Sequence, residues 1–191
     1  MNTPINLFVK ILLLGLLLLP GLGINSYAGE LKAVTEDITT PPLKLNSLQD
    51  KAYDLSELKG KVVLVQFWAT YCTPCRLEMP SMNKLMKKLQ DEDVPFEILA
   101  VNMGESKEEV QKFVDEVKPE FTILLDKQGE NVQAWNVFAA PSNFIIDTSG
   151  TIRYTLYGGV EWDSEEIIKT IRSLAKEKES KEGSKEGKEK K

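Results

Sequence analysis

The sequence predicts an α/β domain built on a central mixed β-sheet with helices on its faces. The segment Val62–Trp68 is apolar except for Gln66, as expected for a central strand that is covered on both faces. Two further strands follow, each after a stretch with helical spacing, and this order predicts parallel neighbours. Only the turn at residues 147–150 separates the last two strands, which predicts an antiparallel hairpin.

Length and charge narrow the possible functions. The 191 residues suggest one domain, which we place at residues 42–175 between two atypical ends. Residues 29–175 carry a net charge of −8, because Lys10 and the segment 176–191 hold eight of the 24 basic and five of the 29 acidic side chains. Phosphate backbones would repel so acidic a body, so nucleic-acid binding is not expected. The sequence contains no histidine, which excludes imidazole bases and imidazole metal ligands.

Residues 1–28 have the organisation of an export signal. Lys10 precedes an apolar run of nine residues, Ile11–Leu19, and residues 26–28 place small side chains before a cut ahead of Gly29. A membrane-spanning helix needs about 20 apolar residues, so we favour cleavage over retention as a membrane anchor. Either outcome predicts an extracytoplasmic, oxidising location, in the periplasm or at the outer face of the cytoplasmic membrane.

Two other segments are predicted to lie outside the folded domain. Residues 29–41 are mostly polar and lack periodicity, which indicates a spacer. Residues 176–191 contain only Lys, Glu, Ser and Gly, so they cannot bury enough apolar surface to offset the entropy lost on ordering. We expect a disordered tail there.

The first half of the domain is predicted to contain a hairpin, the central strand and a strand–helix unit. The hairpin is expected at residues 43–45 and 51–55. Helical spacing then links Met79, Met82, Leu85, Met86 and Leu89 behind the central strand. The strand of the inserted unit is expected at residues 96–101, and its helix begins at a capping box, Ser106 with Glu109.

The second half is predicted to contain three strands, a short helical turn and a final helix. The strands are expected at residues 121–125, 143–146 and 151–157, and the turn near residues 132–135. The final helix carries a buried stripe of four aliphatic side chains, Ile167, Ile168, Ile171 and Leu174.

Cys72 and Cys75 lie between the buried strand and the first helix, three residues apart. Pro74 suits the first helical turn, where its missing N–H is not needed. Cys72 would then lie at the helix N-terminus, where unpaired N–H groups and the helix dipole stabilise a thiolate. This placement predicts that Cys72 is the nucleophile and that Cys75, about one turn deeper, is the buried resolving thiol of a redox pair.

Three other interpretations of the cysteine pair are weaker. A purely structural disulfide would close too short a loop to constrain the unfolded chain much. A zinc site lacks ligands, because the sequence has no third cysteine and no histidine. A haem attachment motif requires a histidine where Arg76 stands.

Glu78 follows Cys75 by three residues, so the two share a helix face. A carboxylate at the margin of the apolar stripe should have its pKa raised by desolvation, and it could then exchange a proton with Cys75. The alternative is a solvated glutamate on the helix surface, and the spacing alone does not decide between them.

The stretch GKVVLVQFWATYCTPCRLEMP at residues 60–80 resembles the TlpA/ResA-like branch of the thioredoxin superfamily. The similarity extends over about residues 42–174. It implies a thioredoxin fold with an N-terminal β-hairpin and the inserted strand–helix unit. By this resemblance the chain is an extracytoplasmic thiol–disulfide oxidoreductase of the kind that serves cytochrome c maturation, with Cys72 and Cys75 as the redox pair. Glu78 matches the buried active-site glutamate of the family.

The stretch APSNFIID at residues 140–147 resembles the cis-proline loop of the same family. A cis peptide before Pro141 would turn the backbone of Ala140 toward the dithiol and offer it to an extended substrate. Tyr71 replaces the tryptophan usual before the first cysteine, and Ala139 replaces the glycine usual two residues before the proline, so partner choice could differ. Trp68 and Tyr71 either form a rim for the substrate or pack at the strand end, and for Trp68 we favour packing.

The expected partners are exported proteins that carry disulfides, including apocytochrome c, and a membrane thiol carrier that supplies electrons. No cofactor beyond the Cys72–Cys75 disulfide and no metal is expected. Two other functions remain open. A peroxiredoxin-type thiol peroxidase needs a threonine or serine where Ala69 stands, and a copper-binding dithiol module would be expected to have histidines or a methionine cluster nearby.

Overall fold

A computed structural model describes residues 29–36 and 38–189, with side chains as far as Glu177. The predicted signal, residues 1–28, lies outside the described residues. No helix of the described part is long and apolar enough to cross a membrane. The elements follow in the order β1 (Lys32–Ala33), β2 (Lys44–Asn46), β3 (Ala52–Asp54), a 3₁₀ turn (Leu55–Leu58), β4 (Val62–Trp68), α1 (Thr73–Asp91), β5 (Phe96–Met103), α2 (Lys107–Val117), β6 (Thr122–Asp126), α3 (Glu130–Ala134), β7 (Ser142–Ile146), β8 (Ile152–Tyr157) and α4 (Glu165–Glu189).

The six-stranded sheet has the order β1-β8-β7-β4-β5-β6, and β2 and β3 form a separate hairpin. Strands β4, β5 and β6 are parallel, whereas β7 and β8 run antiparallel to their neighbours. This arrangement confirms the predicted mixed sheet, the hairpin that precedes the central strand in the chain, and the inserted unit β5–α2. The capping box of α2 is also present, with Ser106 and Glu109 bonding each other's backbone N–H groups.

Strand β4 is buried along its whole length because helices cover one face of the sheet and other segments cover the opposite face. Leu64 and Trp68 pack with Met79 and Met82 of α1 and with the stripe of α4, whereas Val65 and Phe67 pack with Trp135 and the hairpin residues. The continuous apolar run of β4 therefore reflects two separate layers of core. A short loop connects the carboxyl end of β4 to α1.

Two segments differ from the sequence-based expectation. Within the predicted spacer, Lys32 and Ala33 pair with Thr155 and Tyr154 as the edge strand β1. Residues in a short edge strand need no apolar periodicity, which explains why the pattern gave no signal. Helix α4 also continues to Glu189, past residue 176 where a disordered tail is predicted. Lys and Glu have high helix propensity, so a packed helix can extend into a sequence that has no apolar face of its own.

Candidate active site

The junction of β4 and α1 presents the cysteine pair at the carboxyl edge of the sheet. Cys72 is the N-cap residue of α1, with Pro74 in the first turn. Its Sγ accepts a hydrogen bond from the N–H of Cys75 at 3.3 Å, and its carbonyl oxygen accepts one from the N–H of Arg76 at 3.1 Å. The first cysteine therefore lies where the free N–H groups and dipole of the helix favour negative charge. The two sulfurs are bonded as a disulfide, 2.03 Å apart.

The two cysteines differ in accessibility. Cys72 retains 8% exposure, whereas Cys75 has none. Of the two cysteines, only Cys72 therefore has surface in contact with solvent. This asymmetry agrees with the roles of nucleophile and resolving thiol that the sequence predicts.

A polar network fixes the loop that precedes Cys72. The carboxylate of Glu105 accepts hydrogen bonds from the backbone N–H of Thr70, at 2.7 Å, and from the Thr70 hydroxyl. Asn102, at the end of β5, donates its side-chain amide to the same carboxylate at 2.6 Å. The loop between β4 and α1 is thus tied to the neighbouring strand two residues before Cys72.

Glu78 lies inside the protein, 3% exposed, and its carboxyl group is surrounded by donors. Gln66 Nε2 donates to Glu78 Oε1. The backbone N–H of Val160 and the indole N–H of Trp162 both donate to Glu78 Oε2, each at 3.2 Å. These contacts settle the question that the helical spacing left open, because Glu78 is a buried group and not a solvated surface residue.

Burial raises the pKa of Glu78 from the ordinary 4.5 to about 8, although the hydrogen bonds from Val160, Trp162 and Gln66 act in the opposite direction. Desolvation penalises the charged form, and here it outweighs three donors. Burial therefore favours the protonated form of Glu78 while the cysteines are joined in the disulfide.

A groove of about 570 Å³ runs beside the disulfide. Tyr71, Cys72 and Pro74 line one side, and the segment Val137–Ala140 lines the other. Tyr71 and Phe138 are 77% and 79% exposed, and Phe138 stacks on Tyr157 with ring centroids 5.1 Å apart. The groove is therefore open and largely apolar next to the reactive sulfur.

The loop before β7 forms the far wall of this groove. The peptide bond between Ala140 and Pro141 is cis, as the family resemblance implies. Ala140 lines the groove, whereas Pro141 is buried and its carbonyl oxygen accepts a hydrogen bond from the N–H of Gly158 at 3.0 Å. This hydrogen bond joins the loop to the segment that follows β8. Residues of the same segment donate hydrogen bonds to Glu78.

Of the two aromatic residues considered for a substrate rim, only Tyr71 is at the surface. Trp68 has 0% exposure and packs on Phe113 of α2, with ring centroids 4.7 Å apart. The assignment of Trp68 to substrate binding is therefore corrected, because a side chain inside the core cannot contact a substrate. The alternative that the sequence favoured, packing at the strand end, is what the structure has.

Several residues of the site were not predicted from the sequence. Trp162 and Val160 come from the segment between β8 and α4, more than 80 positions after Glu78, and no local pattern links them. Gly159 approaches the same place, since a Cβ at this residue would lie 3.3 Å from Pro74 Cβ and 3.8 Å from Glu78 Oε2. Gln66 did leave a signal, as the single polar residue of β4.

Within residues 29–36 and 38–189 no group of three or more His, Cys, Asp or Glu side chains is placed to hold a metal ion. The redox group that the described residues provide is the disulfide itself.

A cysteine pair at this position of this fold defines a class, the thiol–disulfide oxidoreductases of the thioredoxin fold. Residues 38–155 match the model of the AhpC/TSA family. The chain is 39% identical over 146 residues to the thiol-disulfide oxidoreductase ResA of Geobacillus thermodenitrificans, and the aligned region covers 75% of this chain and 83% of that protein. The chain therefore belongs to the AhpC/TSA family, with ResA thiol-disulfide oxidoreductases among its relatives.

Two further comparisons agree with this placement. The ResA of Geobacillus kaustophilus is 36% identical over 162 residues, or 83% of this chain and 91% of that protein. Among solved structures, a putative thiol:disulfide interchange protein DsbE from Chlorobium tepidum superimposes with a TM-score of 0.67 at 28% identity, covering 75% of this chain and 99% of that one. The resemblance to the TlpA/ResA-like branch is thus confirmed.

Proposed function

We propose that this oxidoreductase reduces disulfides of exported proteins outside the cytoplasm, with Cys72 as the attacking thiolate, Cys75 as the resolving thiol and Glu78 as the proton acceptor of Cys75. The observation that carries the proposal is the asymmetry of the pair. Cys72 is partly exposed at a helix N-terminus, and Cys75 is fully buried one turn from a buried carboxyl group.

The reaction follows from this arrangement in two exchange steps. The Cys72 thiolate attacks one sulfur of the substrate disulfide, forms a mixed disulfide and releases the other sulfur as a thiolate. Cys75 then gives its proton to the Glu78 carboxylate and attacks Cys72 Sγ, which releases the second substrate sulfur. Two electrons pass to the substrate, and the enzyme is left with the Cys72–Cys75 disulfide and a protonated Glu78.

The pKa of Glu78 is suited to this proton transfer. At about 8 it lies much closer to the ordinary pKa of a thiol, near 8.5, than the pKa of an exposed glutamate does, so Glu78 is a better-matched acceptor for a thiol proton. In the oxidised form the protonated carboxyl is the state expected after Cys75 has lost its proton. A membrane thiol carrier would reduce the disulfide again, and Glu78 would return the proton to Cys75.

The groove beside Cys72 is the proposed binding place for the substrate. An extended segment could lie between Tyr71 and Phe138 and bond to the backbone of Ala140 in the manner of an added strand. Apocytochrome c is the client that the family resemblance suggests. Support for an extracytoplasmic location comes from the sequence, through the export-signal organisation of residues 1–28.

A thiol peroxidase is the second candidate, because the matching family model carries the AhpC/TSA name. Ala69, three residues before Cys72, offers no hydroxyl group to a peroxide, and this argues against the candidate. The third candidate, copper binding by the dithiol, has only two thiolate ligands and no histidine.

The deciding experiment compares two activities of the purified chain. We expect reduction of insulin disulfides with dithiothreitol as the electron source, and negligible consumption of hydrogen peroxide. Cys72→Ser serves as the inactive control. Peroxide consumption without insulin reduction would overturn the proposal, and tight stoichiometric binding of copper(I) to the reduced protein would favour the third candidate instead.

A further inference from the structure

The buried side of the site contains two side-chain amides, and the carbonyl oxygen of each accepts no hydrogen bond from the residues that the structure describes. Gln66 and Asn143 are directly opposite each other on the paired strands β4 and β7, and both are at most 1% exposed. Within the described residues, neither Gln66 Oε1 nor Asn143 Oδ1 has a hydrogen-bond partner. A buried acceptor without a donor is costly, so two of them beside one titrating carboxyl call for a physical explanation.

The two amides lie on the same face of the sheet as Glu78. Directly opposed residues of an antiparallel pair point to the same side, with Cβ atoms about 4.5–5.5 Å apart. Ile145, two residues from Asn143, belongs to the core layer of α1, as do Leu64 and Trp68 around Gln66. Gln66 is thus hydrogen-bonded to Glu78 and is the cross-strand neighbour of Asn143 on the same face of the sheet.

The observed hydrogen bond from Gln66 requires an unprotonated Glu78 Oε1. Because Oε2 already accepts hydrogen bonds from Val160 and Trp162, Oε1, whose single donor can turn over, is the oxygen that can take the proton. Nε2 donates to Glu78 Oε1, which a carboxylate or an unprotonated oxygen can accept. Once Oε1 carries a proton it becomes a donor, and it then faces the N–H₂ group of Gln66 instead of an acceptor. Rotation of the amide by 180° would present Gln66 Oε1 to that O–H group and turn Nε2 toward Asn143.

We propose that Gln66 and Asn143 are positioning residues for Glu78, and that the Gln66 amide turns over when Glu78 takes the proton of Cys75. In the carboxylate state Gln66 Nε2 donates to Glu78. In the protonated state the Glu78 O–H donates to Gln66 Oε1, and Gln66 Nε2 donates to Asn143 Oδ1. Glu78 gains the proton that Cys75 loses, so the two acceptors that are unused in the observed orientation, Gln66 Oε1 and Asn143 Oδ1, both gain donors in the protonated state.

This inference rests on the proposed role of Glu78 in thiol exchange, and it adds the residues that stabilise both of its protonation states. The groups that bond to the Glu78 carboxyl are the Gln66 amide from β4 and the Val160 N–H and Trp162 indole from the segment before α4, and Cys75 lies about one turn before Glu78 on α1. Of these only Cys75 titrates, and in the oxidised protein it does not. A titration of the oxidised protein therefore reports Glu78.

Nuclear magnetic resonance on the oxidised full chain in detergent tests the proposal. With ¹³C-labelled Glu and ¹⁵N-labelled side-chain amides, we expect the Gln66 and Asn143 amide signals to shift with the same midpoint as the Glu78 carboxyl. The contact between the Gln66 amide protons and the Met82 methyl group should weaken at low pH, because Gln66 Nε2 lies 3.2 Å from Met82 Sδ in the observed orientation. The exposed amide of Gln90 is the control and should not follow this titration.

Two variants separate a positioning role from mere packing. Asn143→Leu removes the acceptor for the turned amide and should lower the Glu78 midpoint, whereas added desolvation alone would raise it. Asn143→Ala is the substitute if the leucine variant does not fold. Glu78→Gln should abolish the titration of the other two amides.

A midpoint that stays or rises in both Asn143 variants, or a Gln66–Met82 contact that does not change with pH, would overturn the inference. Insulin reduction by the wild-type chain is measured in parallel. Loss of that activity counts against the proposed function, whereas the amide titration in the oxidised protein does not depend on it.

Discussion

The indole N–H of Trp162 donates a hydrogen bond to Glu78 Oε2 at 3.2 Å, although 84 positions separate the two residues. Trp162 is fully buried, and its own backbone N–H donates to Ser81 Oγ at 3.0 Å, one turn further along α1. The segment before α4 thus contacts the helix that carries the disulfide at two points. Its sequence therefore contributes to the chemistry of a site that lies far away along the chain.

Replacing this tryptophan should change the acidity of Glu78. Trp162→Phe keeps an aromatic ring but removes one donor to the carboxylate, so the pKa of Glu78 should rise above about 8. In the plot of exchange rate against pH, the alkaline limb should move to higher pH. Insulin reduction measured between pH 6 and 10 provides this plot. Loss of a buried hydrogen bond should also cost about 1–3 kcal/mol in unfolding free energy.

Trp135→Phe is the matched control, because Trp135 is also buried and its indole N–H donates to the carbonyl of Pro42, in the other core layer. This variant should lose stability without moving the pH profile. An equal shift of the profile in both variants would mean that general loosening, and not the bond to Glu78, is responsible.

Removing the carboxyl group itself should slow the exchange. In Glu78→Gln, Cys75 has no buried proton acceptor, so we expect the rate of insulin reduction to fall by about 10²-fold at neutral pH. The part of the pH dependence of this rate that follows the ionisation of Glu78 should also disappear. Stopped-flow measurements on the reduced enzyme over pH 6–10 provide the test. Glu108→Gln removes a carboxylate from the exposed face of α2 and should leave the rate unchanged. A wild-type pH profile in Glu78→Gln would remove Glu78 from the mechanism.

The same substitution should make the fold more stable at alkaline pH. The pKa of Glu78 is raised from 4.5 to about 8, so its protonated form is favoured in the folded state, and the stability present below pH 4.5 is lost as pH rises through about 8. Glu78→Gln escapes this loss. We expect a gain of about 2–5 kcal/mol over wild type at pH 9 and little difference at pH 4.

Urea unfolding of oxidised wild type and variant at both pH values measures this difference. The variant Glu108→Gln should show no such dependence on pH relative to wild type. If Glu78→Gln were destabilising by the same amount at pH 4 and pH 9, the ionisation of Glu78 would not be the source of the effect.

The resolving role of Cys75 predicts a trapped intermediate. In Cys75→Ser the mixed disulfide at Cys72 cannot be released by an internal thiol, so partner proteins should accumulate on Cys72. Non-reducing gels and mass spectrometry of cell-envelope fractions would identify them. Trapping by Cys72→Ser in place of Cys75→Ser would show that the two roles are reversed.

The exposed aromatic side chain of Phe138 should matter more for protein substrates than for small disulfides. Phe138→Ala removes apolar surface from the groove wall, and we expect kcat/KM for insulin to fall about tenfold, equivalent to roughly 1.4 kcal/mol. Reduction of a small aromatic disulfide should change less, because it spans less of the groove. Ile38→Ala, at an exposed apolar residue outside the groove lining, is the control. Equal losses for both substrates would contradict a binding role for Phe138.

Sequence patterns determined the reactive centre and most of the fold because both depend on local relationships. The buried run of β4, the helical spacing of α1 and the position of Cys72 before Pro74 involve neighbours in the chain, and these predict the strand, the helix and the exposed sulfur at its N-terminus. Spacing also placed Glu78 on the face of Cys75. It could not decide whether that face was buried or solvated.

Tertiary structure alone decided the environment of the carboxyl group. Gln66, Val160 and Trp162 reach Glu78 from a strand and from a segment far along the chain, and their approach depends on how the whole sheet is assembled. The same holds for the edge strand β1 and for the burial of Trp68. Desolvation and hydrogen bonding are properties of packed neighbours in space, and periodicity along a single chain carries no information about them.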